Sequence, residues 1–150
     1  MYNDTITIFN RKIDDNGDYW FPTVLHNVHL NTDRAAILAR YGENTQDSAS
    51  LNVKYRFEDG VKKIEGKTWV PPKEFDKLDD VSEHITFKSG DTFDFFIKGE
   101  WGSVNPVNND EYAELNGFYN YMNKEYDFVF AISSVGGPYS VIPHFEILGR

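Results

Sequence analysis

Ile85-Thr86-Phe87-Lys88-Ser89-Gly90-Asp91-Thr92-Phe93-Asp94-Phe95-Phe96-Ile97-Lys98-Gly99-Glu100 is the stretch on which the fold reading turns. Apolar residues fall at Ile85 and Phe87, then at Phe93, Phe95 and Ile97, on either side of Ser89-Gly90-Asp91. Period-two alternation sends one face of each run into a core, so the stretch predicts two strands joined by a tight turn. Gly90 supplies the positive φ of the reversal, and the Asp91 side chain can bond the backbone beyond it. Gly99 lets the chain bend or bulge as it leaves the sheet. The remaining residues read as strands and short excursions set around this hairpin.

Upstream, Thr5-Ile6-Thr7-Ile8-Phe9-Asn10 is a β-prone run, and Asp14-Asp15-Asn16-Gly17 is a turn leading into Asp18-Tyr19-Trp20-Phe21. Pro22 cannot donate to a ladder, so it predicts an edge position or the end of that strand. A further strand runs from Val24 to Leu30, with Val24, Val28 and Leu30 on one side. Asn31-Thr32-Asp33 reads as a helix cap and Gly42 as a stop. The eight residues from Arg34 to Tyr41 between them fit a helical turn or two, with a strand left open for so short a run. Residues 43–50 are a polar surface loop. Leu51-Asn52-Val53-Lys54-Tyr55-Arg56-Phe57 alternates without a fault, which predicts Leu51, Val53, Tyr55 and Phe57 facing inward. Glu58-Asp59-Gly60 turns the chain, and Thr68-Trp69-Val70 is a short strand stopped by Pro71-Pro72.

Pro72 to Leu78 reads as a short helix with proline in its first turn and with Phe75 and Leu78 on one face. Downstream of the hairpin, residues 103–109 form a loop of Asn, Pro and Ser. A second helix is predicted from Asp110 to Lys124, with Tyr112, Leu115, Tyr119 and Met122 at helical spacing and Gly117 weakening it by roughly 1 kcal/mol. Residues 127–134 return to β, with Phe128, Phe130 and Ile132 sharing a face. Gly136-Gly137-Pro138 predicts the turn before a closing strand from Tyr139 to Leu148, interrupted at Pro143. Short strands at this spacing predict a mainly β fold, a small antiparallel barrel or sandwich in one domain over residues 1–150.

The 150 residues are enough for one domain with a real core. No apolar run approaches the roughly 20 residues of a membrane helix, and the first residues lack the regions of a signal peptide. A soluble protein made and used in a reducing compartment, or never exported by the host route, is therefore expected. With no cysteine in the chain, disulfides, thiolate metal sites and cysteine nucleophiles are excluded. A net charge of −9 argues against gripping nucleic acid phosphates, which takes clustered Lys or Arg.

Catalytic patterns are missing from the sequence. His26 and His29 form H-x-x-H, but strand geometry would point them to opposite faces. His84 and His144 stand alone. The acids Asp76, Asp79, Asp80 and Glu83, and later Asp110, Glu111 and Glu114, sit in polar surroundings and read as solvated faces. No nucleophile elbow or phosphate loop is found. A non-enzyme without cofactor or metal is expected. Trp20, Trp69 and Trp101, with nine tyrosines, would either fill a core and subunit contacts or line a sugar-binding face.

Several pieces together resemble small structural proteins of tailed bacteriophages: Ile6 to Asn10 followed by Tyr19-Trp20-Phe21-Pro22-Thr23, Gly66 to Phe75, the Ser89-Gly90-Asp91 turn before a strand ending in Lys98-Gly99-Glu100, and Pro143 to Gly149. The chain is similar over nearly its whole length to the minor capsid or head–tail connector family, in the element order of head-closure (stopper) proteins of the neck. The resemblance implies a β-barrel that forms a ring under the portal and its adaptor, joins head to tail and helps retain packaged DNA. It implies no catalytic residues and no membrane partner. The implied partners are copies of itself, portal-adaptor and tail-terminator or tail-tube proteins, and DNA passing the bore without sequence-specific binding. The implied location is the virion neck, with host cytoplasm during assembly. A tail terminator or other neck ring is the alternative within that class. A tail-tip carbohydrate-binding module is the alternative outside it, with a metal-dependent hydrolase behind both. The polar loops offer Glu43, Asn44, Gln46, Asp47, Ser103, Asn105, Asn108 and Asn109 as candidate lumen or ring contacts.

Overall fold

The structure, a computed structural model, describes residues 2–150. Among the described residues eleven strands run in chain order: β1 Asp4–Asp14, β2 Gly17–Asn31, β3 Ala49–Lys54, β4 Arg56–Glu58, β5 Val61–Ile64, β6 Lys67–Trp69, β7 His84–Ile85, β8 Phe95–Lys98, β9 Val107–Asn108, β10 Val129–Tyr139 and β11 His144–Gly149. Helices α1 Arg34–Tyr41, α2 Pro72–Lys77 and α3 Phe118–Glu125 and a 3₁₀ segment Asn109–Leu115 lie between them. The order β1-β8-β10-β11-β3-β2, with β2 pairing back onto β1, closes a six-stranded antiparallel barrel, and β9 adds to β2 outside it. The fold is mainly β, as the alternation predicts.

Two apolar layers explain why Phe95-Phe96-Ile97 is continuous. Ile6, Ile8, Phe96, Phe130 and Phe145 fill the barrel, whereas Phe9, Phe95, Ile97 and Val129 point outward from the same wall. That outer face is covered by Phe118 and Met122 of α3 together with Trp20. Phe9 stacks on Phe95 at 4.8 Å, and Trp20 meets Phe95 edge-on at 4.8 Å. β1 and β8 are thus buried on both faces, which is why their apolar residues run on without strict alternation.

The predicted hairpin is not one. Its Gly90 turn is present, at φ +96°, but the two runs go to different sheets. β7 pairs in parallel with β6, whereas β8 pairs with β1 and β10. Asp94 is the reason. Its carboxylate accepts from Arg11 N (2.9 Å), Lys88 N (2.9 Å) and Asn10 Nδ2 (2.8 Å), so residues 86–94 are stapled to β1 by a side chain rather than by a ladder. Alternation reports which face is buried and carries no information on the partner.

Other boundaries move for equally local reasons. Pro22 takes the predicted edge position without ending its strand: β2 runs through it with Pro22 opposite Phe9, while on its other side β9 pairs at Tyr19 and Trp20 and β3 at His29 to Asn31. A bulge, with Asn27 at φ +56°, shifts the register between Ile6/Leu25 and Asp4/Val28. Leu25 and Val28 thereby both reach the core, and Val24 is left on the outer side. Leu51, Val53 and Tyr55 face inward as predicted, but Phe57 is 56% exposed. The chain leaves the barrel at Tyr55 and starts the second sheet β4-β5-β6-β7, which ends the alternation. That sheet sends Ile64 and Ile85 into the barrel cluster and closes the end from which Tyr55 exits.

Helix α1 forms with Asp33 capping Ala35 N and Ala36 N and Gly42 as its C-cap. α2 forms as predicted, with Phe75 buried and Leu78 packed beside it. The single helix predicted from Asp110 to Lys124 is two pieces, broken where Asn116 (φ +62°) and Gly117 (φ +111°) turn left-handed. Leu115 is consequently exposed, and Phe118 becomes the buried anchor instead. Phe128 is also exposed, outside the face shared by Phe130 and Ile132. The turn predicted at Gly136-Gly137-Pro138 lies within β10, and the reversal falls at residues 140–143.

Candidate interaction surfaces

The main surface feature follows the outer face of β2. Phe21, Pro22, Thr23 and Val24 form its floor, Val81 and Ser82 one wall, and Val104 and Pro106 the other. This groove holds about 550 Å³ and opens into neighbouring hollows beside Lys12, Asp14 and Asp79 and beside Trp101 and Gly102. Its position follows from Pro22, which offers no N–H for a further ladder, and from the chain after β8 doubling back along β2 to reach β9. Lys67 reaches across to donate to Thr23 Oγ1 at 2.8 Å, and burial lowers its pKa against the opposing pull of Glu83. Val104 stands 89% exposed at the lip.

A second feature is the tip of the β10–β11 hairpin. Val141 is 96% exposed and Ile142 64%, with Tyr139 beside them. The tip is braced from below: Tyr55 OH donates to Tyr139 O at 2.7 Å, and Tyr55 N donates to Pro143 O at 3.2 Å. The sequence signal is the run Ser140-Val141-Ile142-Pro143, in which a turn and two aliphatic residues coincide. It is easily misread as strand, because β-branched residues dominate both.

The polar residues predicted for lumen or ring contacts lie on the segment after α1 and on the segment that leads through β9 into the 3₁₀ turn. Glu43, Asn44 and Gln46 follow α1 on a loop that is largely in solvent. Asp47 is turned inward and buried, accepting from Ser133 Oγ (2.6 Å) and Thr45 Oγ1 (2.8 Å). Ser103 and Asn105 are exposed along the groove's outer wall, far along the chain from that loop. Asn108 caps the 3₁₀ segment through Asp110 N. Asn109 Oδ1 accepts from Trp20 Nε1 and Phe118 N, both at 2.9 Å, while its Nδ2 donates to Asp18 at 3.2 Å. Asn109 thus ties β2, the 3₁₀ segment and α3 together, so its polarity is spent inside the fold.

Among the described residues no three His, Cys, Asp or Glu side chains gather as a metal site. His26 faces Glu65 at 3.3 Å across the bulge, and His144 lies 3.6 Å from Glu146. The one strongly perturbed carboxyl among the described residues is Asp94, completely buried under the staple described above. Burial pushes it up to about 7 against the opposing pull of Lys88 and its three donors. Lys88 is itself buried, donating to Asp76 Oδ1 at 3.0 Å and to the Arg11 carbonyl. The Asp94 and Lys88 side chains are both buried, and Asp76, their link to the surface, is half exposed. Trp20 is buried and bonded to Asn109, and Trp69 and Trp101 are half-buried against the two main clusters, with Trp101 also lining the hollow beside Gly102.

The family described as "Family of unknown function (DUF6751)" matches residues 1–150, and the chain belongs to it. No curated protein and no solved structure matches the chain.

Proposed function

We propose that this member of the family is a non-enzymatic structural protein of a phage neck, forming a ring between the portal-adaptor and the tail and helping to retain packaged DNA. The observation that carries the reading is a closed acidic barrel that leaves aliphatic side chains, Val104 on the groove lip and Val141 on the braced hairpin tip above all, in water. Such residues lose hydration when a neighbour covers them, and contiguous exposed apolar surface on a small protein is characteristic of contact sites. The whole-chain resemblance of the sequence motifs to head–tail connectors supports the neck as the proposed place of those contacts.

Charge fits the same role. Each subunit carries −9, and a ring multiplies that charge around a bore. A negative wall repels the phosphate backbone, so DNA slides past without being held in one register. Closing the sheet into a barrel removes most free edges, which directs assembly through side chains rather than strand addition. Deleting the gene from the phage genome tests this. Loss of infectivity with tailless heads that leak DNA, restored in trans, is the expected outcome. Normal, infectious particles without the protein would refute it.

A further inference from the structure

We infer that the β10–β11 tip of one subunit seats in the β2 groove of the next copy. The groove's apolar lining, in which Phe21 and Val24 are half-buried and Val104 is exposed, and the tip's exposed apolar knob belong to one chain and sit on different walls. In the cyclic order β1-β8-β10-β11-β3-β2, strands β2 and β10 are three places apart in either direction, so they face each other across the barrel. A chain cannot fill its own groove with its own tip from there. Complementary surfaces on opposite walls make a heterologous contact, which repeats from copy to copy and closes into a ring when the rotation allows.

Chemistry matches on both sides. The knob presents Val141 and Ile142 on a support already fixed by Tyr55, so little ordering entropy is lost when it docks. The groove presents Phe21, Pro22, Val24 and Val104 with room of about 550 Å³. Their surroundings differ in charge balance: acids outnumber Lys67 around the groove, whereas cations outnumber Glu58 and the Arg40-paired Glu146 at the base of the knob. Exposed Asp79, Glu83 and Glu100 flank the groove. Exposed Lys54 lies in register with His144 at the base of the knob, and Arg56 follows it, shared with Glu58 at 3.4 Å. A three-residue knob buries less than the roughly 800 Å² per partner of a stable pair. Each contact is therefore weak alone and is stabilised by closure around the ring.

The inference sharpens the ring reading and rests on it only for closure, and cysteine pairing separates the two because the chain has no cysteine of its own. Singly substituted Val141→Cys and Val104→Cys proteins are mixed at high concentration and oxidised, and the products are resolved without reductant. The expected product is the mixed 141–104 dimer, several-fold in excess of either same-residue dimer. Ile142→Cys with Ser103→Cys repeats the measurement one residue along, should either valine variant fold poorly. A random distribution of dimers, same-residue dimers only, or no bond overturns the contact. Native mass spectrometry of the oxidised Val104→Cys/Val141→Cys double variant then reads closure. Open chains of mixed length keep the contact and defeat the ring, whereas one closed species lacking the 141–104 bond keeps the ring and defeats the contact.

Discussion

Replacing the buried carboxyl of Asp94 with an amide gives the sharpest test of how the barrel is held. Asp94 is wholly buried, and its carboxyl is pushed up to about 7 from an ordinary 3.8 because burial outweighs Lys88 and three hydrogen-bond donors. The folded state therefore holds a proton between about pH 4 and pH 7 that the unfolded chain has released. Stability from this group is fully present below the unfolded value and is lost as pH rises through about 7. The interval is about 3 pH units at 1.36 kcal/mol each, so the loss is on the order of 4 kcal/mol. The amide in Asp94→Asn does not titrate and lacks this slope, although it also sets an N–H against donors and lowers stability throughout. Urea unfolding of both proteins from pH 4.5 to pH 8 reads the difference. The account predicts that the wild type's advantage over Asp94→Asn shrinks by a few kcal/mol as pH rises, with Asp94→Ala weak at every pH. An advantage that is flat, or that grows with pH, would mean the carboxyl is ionised throughout, and the reasoning would fail.

Asn109→Ala strands the Trp20 indole N–H and the Phe118 amide and is expected to lose roughly 2–5 kcal/mol, with tryptophan emission shifted to the red. Phe118→Ala empties the centre of the outer cluster and should cost about 3–5 kcal/mol in chemical denaturation. Gly117→Ala should exceed Gly90→Ala in a thermal melt. Both positions have positive φ, but of the two only Gly117 would set a Cβ against an atom, 3.0 Å from Asn109 Oδ1; equal losses would refute this. Val141→Asp should leave the melting temperature unchanged while abolishing self-association in sedimentation velocity, because that side chain stands almost wholly in solvent.

Much of this fold was legible locally. The strands around Ile6, Leu51 and Phe95, the capped α1 and the proline-started α2 all follow from alternation, caps and breakers. What was not legible is non-local. Phe57 continues a perfect alternation and yet lies in water, because the chain changes sheet at Tyr55. Phe93 to Ile97 is placed by Asp94, which sends it to β1 rather than back onto Ile85. An acid set among phenylalanines and an isoleucine was the available signal that something had to satisfy it. Asn116-Gly117 reads as a weak helix until Asn109 is seen capping the second half from outside. The interaction surfaces were the least legible. Within the polar loops that offered the contact candidates, the structure buries Asp47, commits Asn109 and leaves Glu43, Asn44, Gln46, Ser103 and Asn105 exposed along with Val104, while Val141 is exposed on the hairpin tip.

Electron cryomicroscopy of particles assembled with this chain, the phage virions of the proposed function, tests the central claim most directly. The account predicts a ring of six-stranded barrels between portal and tail, each hairpin tip resting against the outer face of β2 in its neighbour. Particles whose neck contains no such barrel, or barrels that meet through other faces while the Val141 tip points into solvent, would contradict it.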